Sequence, residues 1–544
     1  MTLEKNEVPK VSSIAENVTQ NAVNETGFGR FNLKIMAVCG LIYMNGGFGM
    51  SSLSMIMPSA ACDFDMTTVD KGRLSVASSL GMVSGAYIWA CAAEMKGRKF
   101  GLIAALLLHG VFDAISAVTP NYWLFVSTKF FSGLGMSGQM ALIFAYLGEF
   151  QPTNVRDRIM TWMELAWVVG FTLVPLIGWA IIPLEFEYRT EIFLFRSWNL
   201  FMLICSAPAI LIGIWLMFLP ETPKYLAESG QYAELLKVLE SMYSANNGLP
   251  NEAYVEKISK IGDKSLDEMI KLARTGEAGR RRARTLREMA LSFLGQTVMI
   301  LKPPYLTRTL LIITVITCLM STYFPLVVWL PEIFNRFAAF DTLHPEGATS
   351  ICAVSASLHV NQSSSLAQDS DSRNSSSVVC DIGMGDDVYL HTVILGLGCV
   401  PAALWLPLFV ERLGYVFHVA LGSFLCAAVT VGLFFVTSSV QNLILACVFE
   451  SVASICITAV LCMVVELYPT NLRVMAAAFS MFIGRVGSFA GNAFFGYLID
   501  DYCVPLFVVL TGQLIVSGVL SLFIPRRGYA KTAADGSIAP VENN

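Results

Sequence analysis

Lys129, Glu164, Glu450 and Arg485 each interrupt a long apolar run, and His109 and Asp113 sit one helical turn apart in another. An ionisable side chain in hydrocarbon costs at least about 2.5 kcal/mol, so each of these groups implies a function or a partner. Their chemistry allows three uses: gripping a charged solute, carrying a proton, or pairing statically to fix helix packing. An internal offset sorts them. Adding 317 to Lys129 reaches position 446, one helical turn from Glu450, and adding it to Glu164 reaches 481, about one turn from Arg485. Each half of the chain thus supplies one acid and one base from equivalent segments. For His109 and Asp113, a local hydrogen-bonded pair is a simpler expectation than a proton relay. The sequence holds no metal-ligand spacing, no phosphate-cradling glycine loop and no nucleophile–base constellation. Neither an enzyme nor a resident cofactor is expected, and nothing points to nucleic acid.

The elements that must carry these groups are membrane helices. The 544 residues are 55% hydrophobic and 14% charged, where soluble proteins carry about 25% charged residues. The apolar residues fall into blocks at roughly 33–56, 73–93, 101–119, 122–147, 158–182, 198–219, 307–330, 389–410, 415–437, 441–466, 474–498 and 503–525. Each is near or above the ~20 residues that cross a bilayer as a helix. Glu149-Phe150-Gln151-Pro152-Thr153-Asn154-Val155-Arg156 returns as Glu466-Leu467-Tyr468-Pro469-Thr470-Asn471-Leu472-Arg473, again 317 residues on. Glu94 and Gly97 return as Glu411 and Gly414 at the same offset. The expected fold is therefore an all-α membrane protein of twelve transmembrane helices in two six-helix, pseudo-symmetric bundles. The bundles occupy 33–219 and 307–525, joined by a central loop 220–306 and flanked by tails 1–32 and 526–544.

Lys and Arg collect in alternate loops (Lys96, Arg98 and Lys99; Arg156 and Arg158; the central loop; Arg412; Arg473; Arg526 and Arg527), which places both termini and the central loop in the cytosol. No signal-peptide pattern opens the chain, so the first span serves as its own insertion signal. The polar N-terminal tail is expected to be mobile. In the central loop, Tyr232, Leu235, Leu236, Leu239 and Met242 share one helical face, and Arg280-Arg281-Arg282-Ala283-Arg284 reads as a topology anchor beside anionic lipid, with a kinase site at Thr285 as the sharper alternative. Residues 332–388 form a Ser- and Asp-rich loop on the opposite side, with sequons at Asn361 and Asn374 open to glycosylation. Cys62, Cys352, Cys380 and Cys503 lie on that side and permit three pairings, of which Cys352–Cys380 is favoured.

At its repeated loops the chain resembles the major facilitator superfamily over about residues 30–525. Within that clan it is similar to the synaptic vesicle glycoprotein 2 group. The residues that carry the likeness are Gly27-Phe28-Gly29-Arg30-Phe31, Pro58-Ser59-Ala60, Asp70-Lys71-Gly72, Trp179-Ala180-Ile181-Ile182-Pro183, Ser197-Trp198, and Val328-Trp329-Leu330-Pro331 with Ser321 and Tyr323. Pro220-Glu221-Thr222-Pro223 and Arg485-Val486-Gly487-Ser488 are shared with the organic-ion transporters. The resemblance implies two halves that alternate access to a midplane site. Lys129 and Glu450 are then expected to face each other across the cavity, with Arg485 and Glu164 as a second polar cluster. Tyr43, Trp167, Tyr323, Trp329 and Asn45 complete the candidate lining. It also implies a conformational latch at Glu94, Gly97 and Arg98, coupled to Glu149, Arg156, Glu411, Arg412, Glu466 and Arg473, against plain interfacial anchoring. The family's Asp-Arg pair is here Glu94-Met95, which weakens that latch.

Two acids that the group carries in its first span correspond to Gly46 and Gly49, in Asn45-Gly46-Gly47-Phe48-Gly49, and the group's span-ten acid is Leu461. If those acids carry protons or bind cations in relatives, this chain lacks that equipment, and proton coupling is not expected unless Glu164 or Glu450 has taken it over. The leading reading is a monomeric secondary or facilitative transporter of a small organic solute, charged or neutral, in the plasma membrane or an intracellular vesicle. The alternative is a non-transporting protein of the same group that acts in vesicle trafficking or as a receptor.

Overall fold

Inside a bilayer an apolar run must satisfy its own backbone hydrogen bonds, and a helix does so within one segment. The computed structural model follows that rule throughout. It describes residues 18–61, 63–184, 186–189, 194–275, 295, 297–343, 350–355, 385–468 and 470–525. The first half holds α1 (Arg30–Ser59), α2 (Thr68–Lys96), α3 (Arg98–Ser116), α4 (Tyr122–Glu149), α5 (Thr153–Ile181) and α6 (Ser197–Leu216), with a short hairpin of β1 (Glu187–Arg189) and β2 (Leu194–Arg196) before α6. The central segment folds into α7 (Pro223–Glu228), α8 (Tyr232–Asn247), α9 (Ala253–Ile261) and α10 (Lys264–Thr275). The second half holds α11 (Leu306–Leu343), α12 (Asp386–Leu413), α13 (Tyr415–Phe434), α14 (Ser439–Leu467), α15 (Thr470–Leu498) and α16 (Cys503–Ser521). Among the described residues, eleven of these helices are long and apolar enough to cross a membrane. The remaining one in the bundle, α15, is 29 residues long and carries Arg485.

Adding 317 to the bounds of α2, α3, α4 and α5 lands within one residue of the bounds of α12, α13, α14 and α15. The two hinge glycines obey the same offset: Gly97 (φ +100°) links α2 to α3 and Gly414 (φ +76°) links α12 to α13. Both need positive φ, which glycine adopts without the Cβ penalty. The halves meet along two seams, α2 against α15 and α5 against α12, with α1 against α11 between them. Exchanging the halves turns one seam into the other, the signature of a pseudo-twofold axis. The glycine run of α1 permits its close packing on α5: a Cβ on Gly47 would stand 2.7 Å from the Trp167 carbonyl oxygen.

Two boundaries differ from the sequence reading. Helix α11 runs 38 residues, to Leu343, through twelve positions assigned above to the loop. Glu332 and Arg336 are held there in ion pairs rather than solvated, which lets the helix continue past the apolar run. Residues 18–26 of the N-terminal tail are helical and docked, not loose. The Asn24 side chain accepts a hydrogen bond from the Thr153 amide (2.9 Å), capping α5 from another part of the chain. The Tyr254 hydroxyl donates to the Ala22 carbonyl at 2.9 Å. As the periodicity indicates, α8 buries Leu235, Leu239 and Met242, in a cluster continuous with Leu147, Phe150 and Leu219 of the first half. Asn246, at its end, bonds Asn32 (2.7 Å) and accepts from the Phe31 amide (3.0 Å). The sites Asn361 and Asn374, the basic run and Thr285 lie outside the described residues.

Candidate functional site

The buried charges do not pair as expected. Lys129 donates to Asp113 at 2.7 Å, and both side chains are about 4% exposed. It does not face Glu450. The partner comes from α3, packed beside α4 in the same half, so the pair holds two neighbouring helices together. His109 and Asp113 are bridged rather than directly bonded. Ser132 Oγ donates to Asp113 (3.0 Å) and also lies 3.0 Å from His109 Nδ1. Four polar residues thus satisfy one another between α3 and α4.

Arg485 likewise departs from its expected partner Glu164. Its two Nη atoms point at the sulfurs of Met82 and Met140, 3.0 Å each, and its Cζ lies 5.3 Å from the Phe324 ring centroid. Thioether sulfur is a weak acceptor and a ring face carries no net charge. Glu164 bonds Thr458 and borders a narrow crevice between α5, α12 and α14, with Thr161, Ala403, Pro407 and Ser454. Glu450 is 2% exposed. Its Oε1 accepts from the Tyr323 hydroxyl at 3.5 Å, and its Oε2 has no partner among the described residues. Tyr43 lies within electrostatic range of Glu164 and Arg485, and Tyr323 within range of Glu450, Glu164 and Tyr43, so these five residues form one buried polar group. Tyr43 also packs on Trp167 (5.4 Å). Asn45 donates to Gln139 at 2.7 Å, leaving Asn45 Oδ1 and Gln139 Nε2 buried and open.

Polar contacts between the halves gather toward the end of the bundle away from the central segment. Lys71 (α2) donates to Glu332 (α11) at 2.6 Å. Arg336 joins Glu332 (3.2 Å), Asp500 (2.7 Å) and Thr68 (3.0 Å). One turn inward, Gly72 and Gly496 bring their backbones together, and a Cβ on Gly72 would lie 2.9 Å from Gly496 Cα. Below them Ser75 donates to Asn492 (2.6 Å), which donates to Ser79 (3.2 Å). Trp329 packs on Phe495 (5.3 Å) with its Nε1 buried and open. It therefore belongs to this seam. On the other seam, Trp179 donates to Asp386 at 2.9 Å.

At the opposite end, Arg98 pairs with Glu149 (3.1 Å) and Glu228 (3.6 Å), inside its own half and with the central segment. The expected reach across to the second half is absent from these contacts. Gly97 leaves room for Glu221, which a Cβ there would strike. Glu221 in turn accepts from the Lys99 and Thr222 amides, 3.0 Å each. Glu94 is exposed at the end of α2 within the field of Arg98, and Arg156 packs beside Gly148. Arg412 is exposed in the last turn of α12, while the side chains of Glu411, Glu466 and Arg473 lie outside the described residues. The favoured cysteine pairing is also corrected: Cys352 is bonded to Cys503 (Cα–Cα 5.5 Å), tying the segment after α11 to the start of α16. Cys380 lies outside the described residues.

Sequence reasoning missed Glu332, Arg336 and Asp500 as a unit, along with Met82, Met140 and Phe324 around Arg485. A signal existed for the seam. Lys71, Ser75, Ser79 and Met82 recur every three or four residues on one face of α2. For the sulfur and ring contacts there was none, since Met and Phe are ordinary packing residues in any span.

The family model described as "Sugar (and other) transporter" matches residues 19–338. Human synaptic vesicle glycoprotein 2B is 24% identical over 93% of this chain and 85% of its own length. The mouse protein of that name is 28% identical over 58% of this chain, and the chain covers about half (47%) of it. The xylose transporter XylE from E. coli, in a partially occluded inward-open conformation, superposes with a TM-score of 0.62 at 15% identity over 91% of this chain and 98% of its own. The superposition shows the same overall fold. The chain is a multi-pass membrane protein and belongs to the sugar (and other) transporter family of the major facilitator superfamily.

Proposed function

We propose that the chain is a secondary or facilitative carrier of a small organic solute, working by alternating access, with its outer end closed in this conformation. The positive-inside distribution of Lys and Arg puts the central segment in the cytosol, so the Lys71–Glu332–Arg336–Asp500 network lies on the outer face. The observation that carries the reading is the pairing of that network with a buried polar group in which Glu164, Glu450 and Arg485 have no ion-pair partner among the described residues. A protein with a purely structural role has little reason to bury Arg485 against thioethers or to leave Glu450 Oε2 open. The test is reconstitution into liposomes, followed by uptake from a metabolite mixture with Arg485→Ala as control. A cysteine at Ser79 reports from which side the seam opens. Accumulation that the control lacks, together with labelling that shifts between faces, is expected. No uptake and labelling confined to one face would favour the alternative, a non-transporting membrane protein, for which Gly46, Gly49 and Met95 are the sequence argument.

A further inference from the structure

We propose that the solute is amphoteric, carrying an anionic group that docks on Arg485 and a cationic group that docks on Glu450, its stem lying along the Tyr323–Phe324 wall. This inference rests on the carrier reading above. Arg485 is 5% exposed, and its contacts are two thioether sulfurs and a ring, none of which carries negative charge. A guanidinium has five N–H donors in a fork suited to a carboxylate or similar oxyanion. Glu450 presents the reverse demand, with one oxygen at the limit of a tyrosine hydroxyl bond and the other unpartnered. A buried carboxylate left so is costly unless a cation reaches it or it takes up a proton.

The two groups do not answer each other. Arg485 is reached through Phe324 and Glu450 through Tyr323, adjacent residues of α11 whose rings stand 5.2 Å apart. Opposite charges held apart along an aromatic wall fit one molecule with charges at its two ends and a short apolar stem. An inorganic ion would satisfy one demand and leave the other. A neutral sugar would satisfy neither, although the open amide atoms of Asn45 and Gln139 offer hydrogen bonds to a hydroxyl on the same solute.

The probes are a matched set: 6-aminohexanoate, hexylammonium, hexanoate and D-xylose, assayed by thermal shift and calorimetry on the purified full-length protein. The amphoteric compound is expected to bind about tenfold or more tightly than either singly charged analogue, since each end adds a charge-assisted hydrogen bond. Arg485→Gln should bring its affinity down to that of hexylammonium, and Glu450→Gln down to that of hexanoate. Both variants should keep the parent melting temperature without ligand within a few degrees. Equal binding of hexylammonium and 6-aminohexanoate, or binding of D-xylose alone, overturns the amphoteric assignment and leaves the carrier reading standing. Silence from all four probes, while a cysteine at Ser79 still changes face, has the same meaning. Silence together with a seam that never opens overturns both.

Discussion

Glu332→Gln is the most direct test of how the outer end is held. In the closed state the Glu332 carboxylate is 4% exposed and accepts from Lys71 (2.6 Å, 12% exposed) and Arg336. Arg336 retains Asp500 and Thr68 after the change, but Lys71 is left facing a neutral amide with little water. Removing one member of a buried pair costs about 3–5 kcal/mol when the other is stranded. In an outward-open state Lys71 would be hydrated and the penalty relieved. Gln still offers one carbonyl acceptor, so a net bias of about 2–3 kcal/mol toward the open state is reasonable, roughly a 30- to 150-fold change in the open population. The assay is the rate at which an impermeant thiol reagent, added from outside, modifies a cysteine placed at Ser79 beneath the network. E332Q should raise that rate by one to two orders of magnitude. Adding Lys71→Met should return part of the effect, because no stranded ammonium remains. An unchanged rate in E332Q would refute the assignment of this network as the closure of the outer end.

Three further outcomes follow from the same contacts. Asp113→Asn strands Lys129 and should lower stability by about 3–5 kcal/mol, read as an earlier melt in detergent, whereas Asp113→Leu with Lys129→Met should be milder. Peptide mapping without reduction should recover Cys352 joined to Cys503, and Cys352→Ser should cost about 2–4 kcal/mol; recovery of Cys352 with Cys380 would contradict the structure. Burial pushes the Glu221 carboxyl above its ordinary range, against amide hydrogen bonds from Lys99 and Thr222 and the Arg98 charge, which pull it down. An acid so raised stabilises the fold below its unfolded pKa of about 4.3, a contribution lost as pH rises through the higher native value. The melting temperature of Glu221→Gln should therefore fall less than that of the parent as pH rises above about 4.3, and parallel curves would argue against a raised Glu221.

The sequence by itself determined the architecture, because the facts needed are local and periodic. Apolar run length decides where a helix can cross a bilayer, and a repeated loop at a fixed offset implies a repeated helix set. The offset of 317 carries over to four helices and to the positive-φ glycines Gly97 and Gly414. The buried residues Glu164, Glu450, Arg485 and Tyr323 were likewise legible as polar breaks or aromatic marks in apolar runs. Which groups touch was decided only by tertiary structure. Helical periodicity states which residues share a face; the partner depends on how each helix is rotated and how closely it is packed. Lys129 therefore finds Asp113 on the neighbouring helix, 16 residues away, and Cys352 finds Cys503 across 151 residues. Glu332 and Arg336 fall in the stretch read as a loop, and only the fold brings Lys71 and Asp500 within ion-pair distance of them. Arg485, whose acid partner looked plain in sequence, meets two sulfurs and a ring instead, since only the three-dimensional packing sets the distances on which Coulomb and hydrogen-bond energies depend.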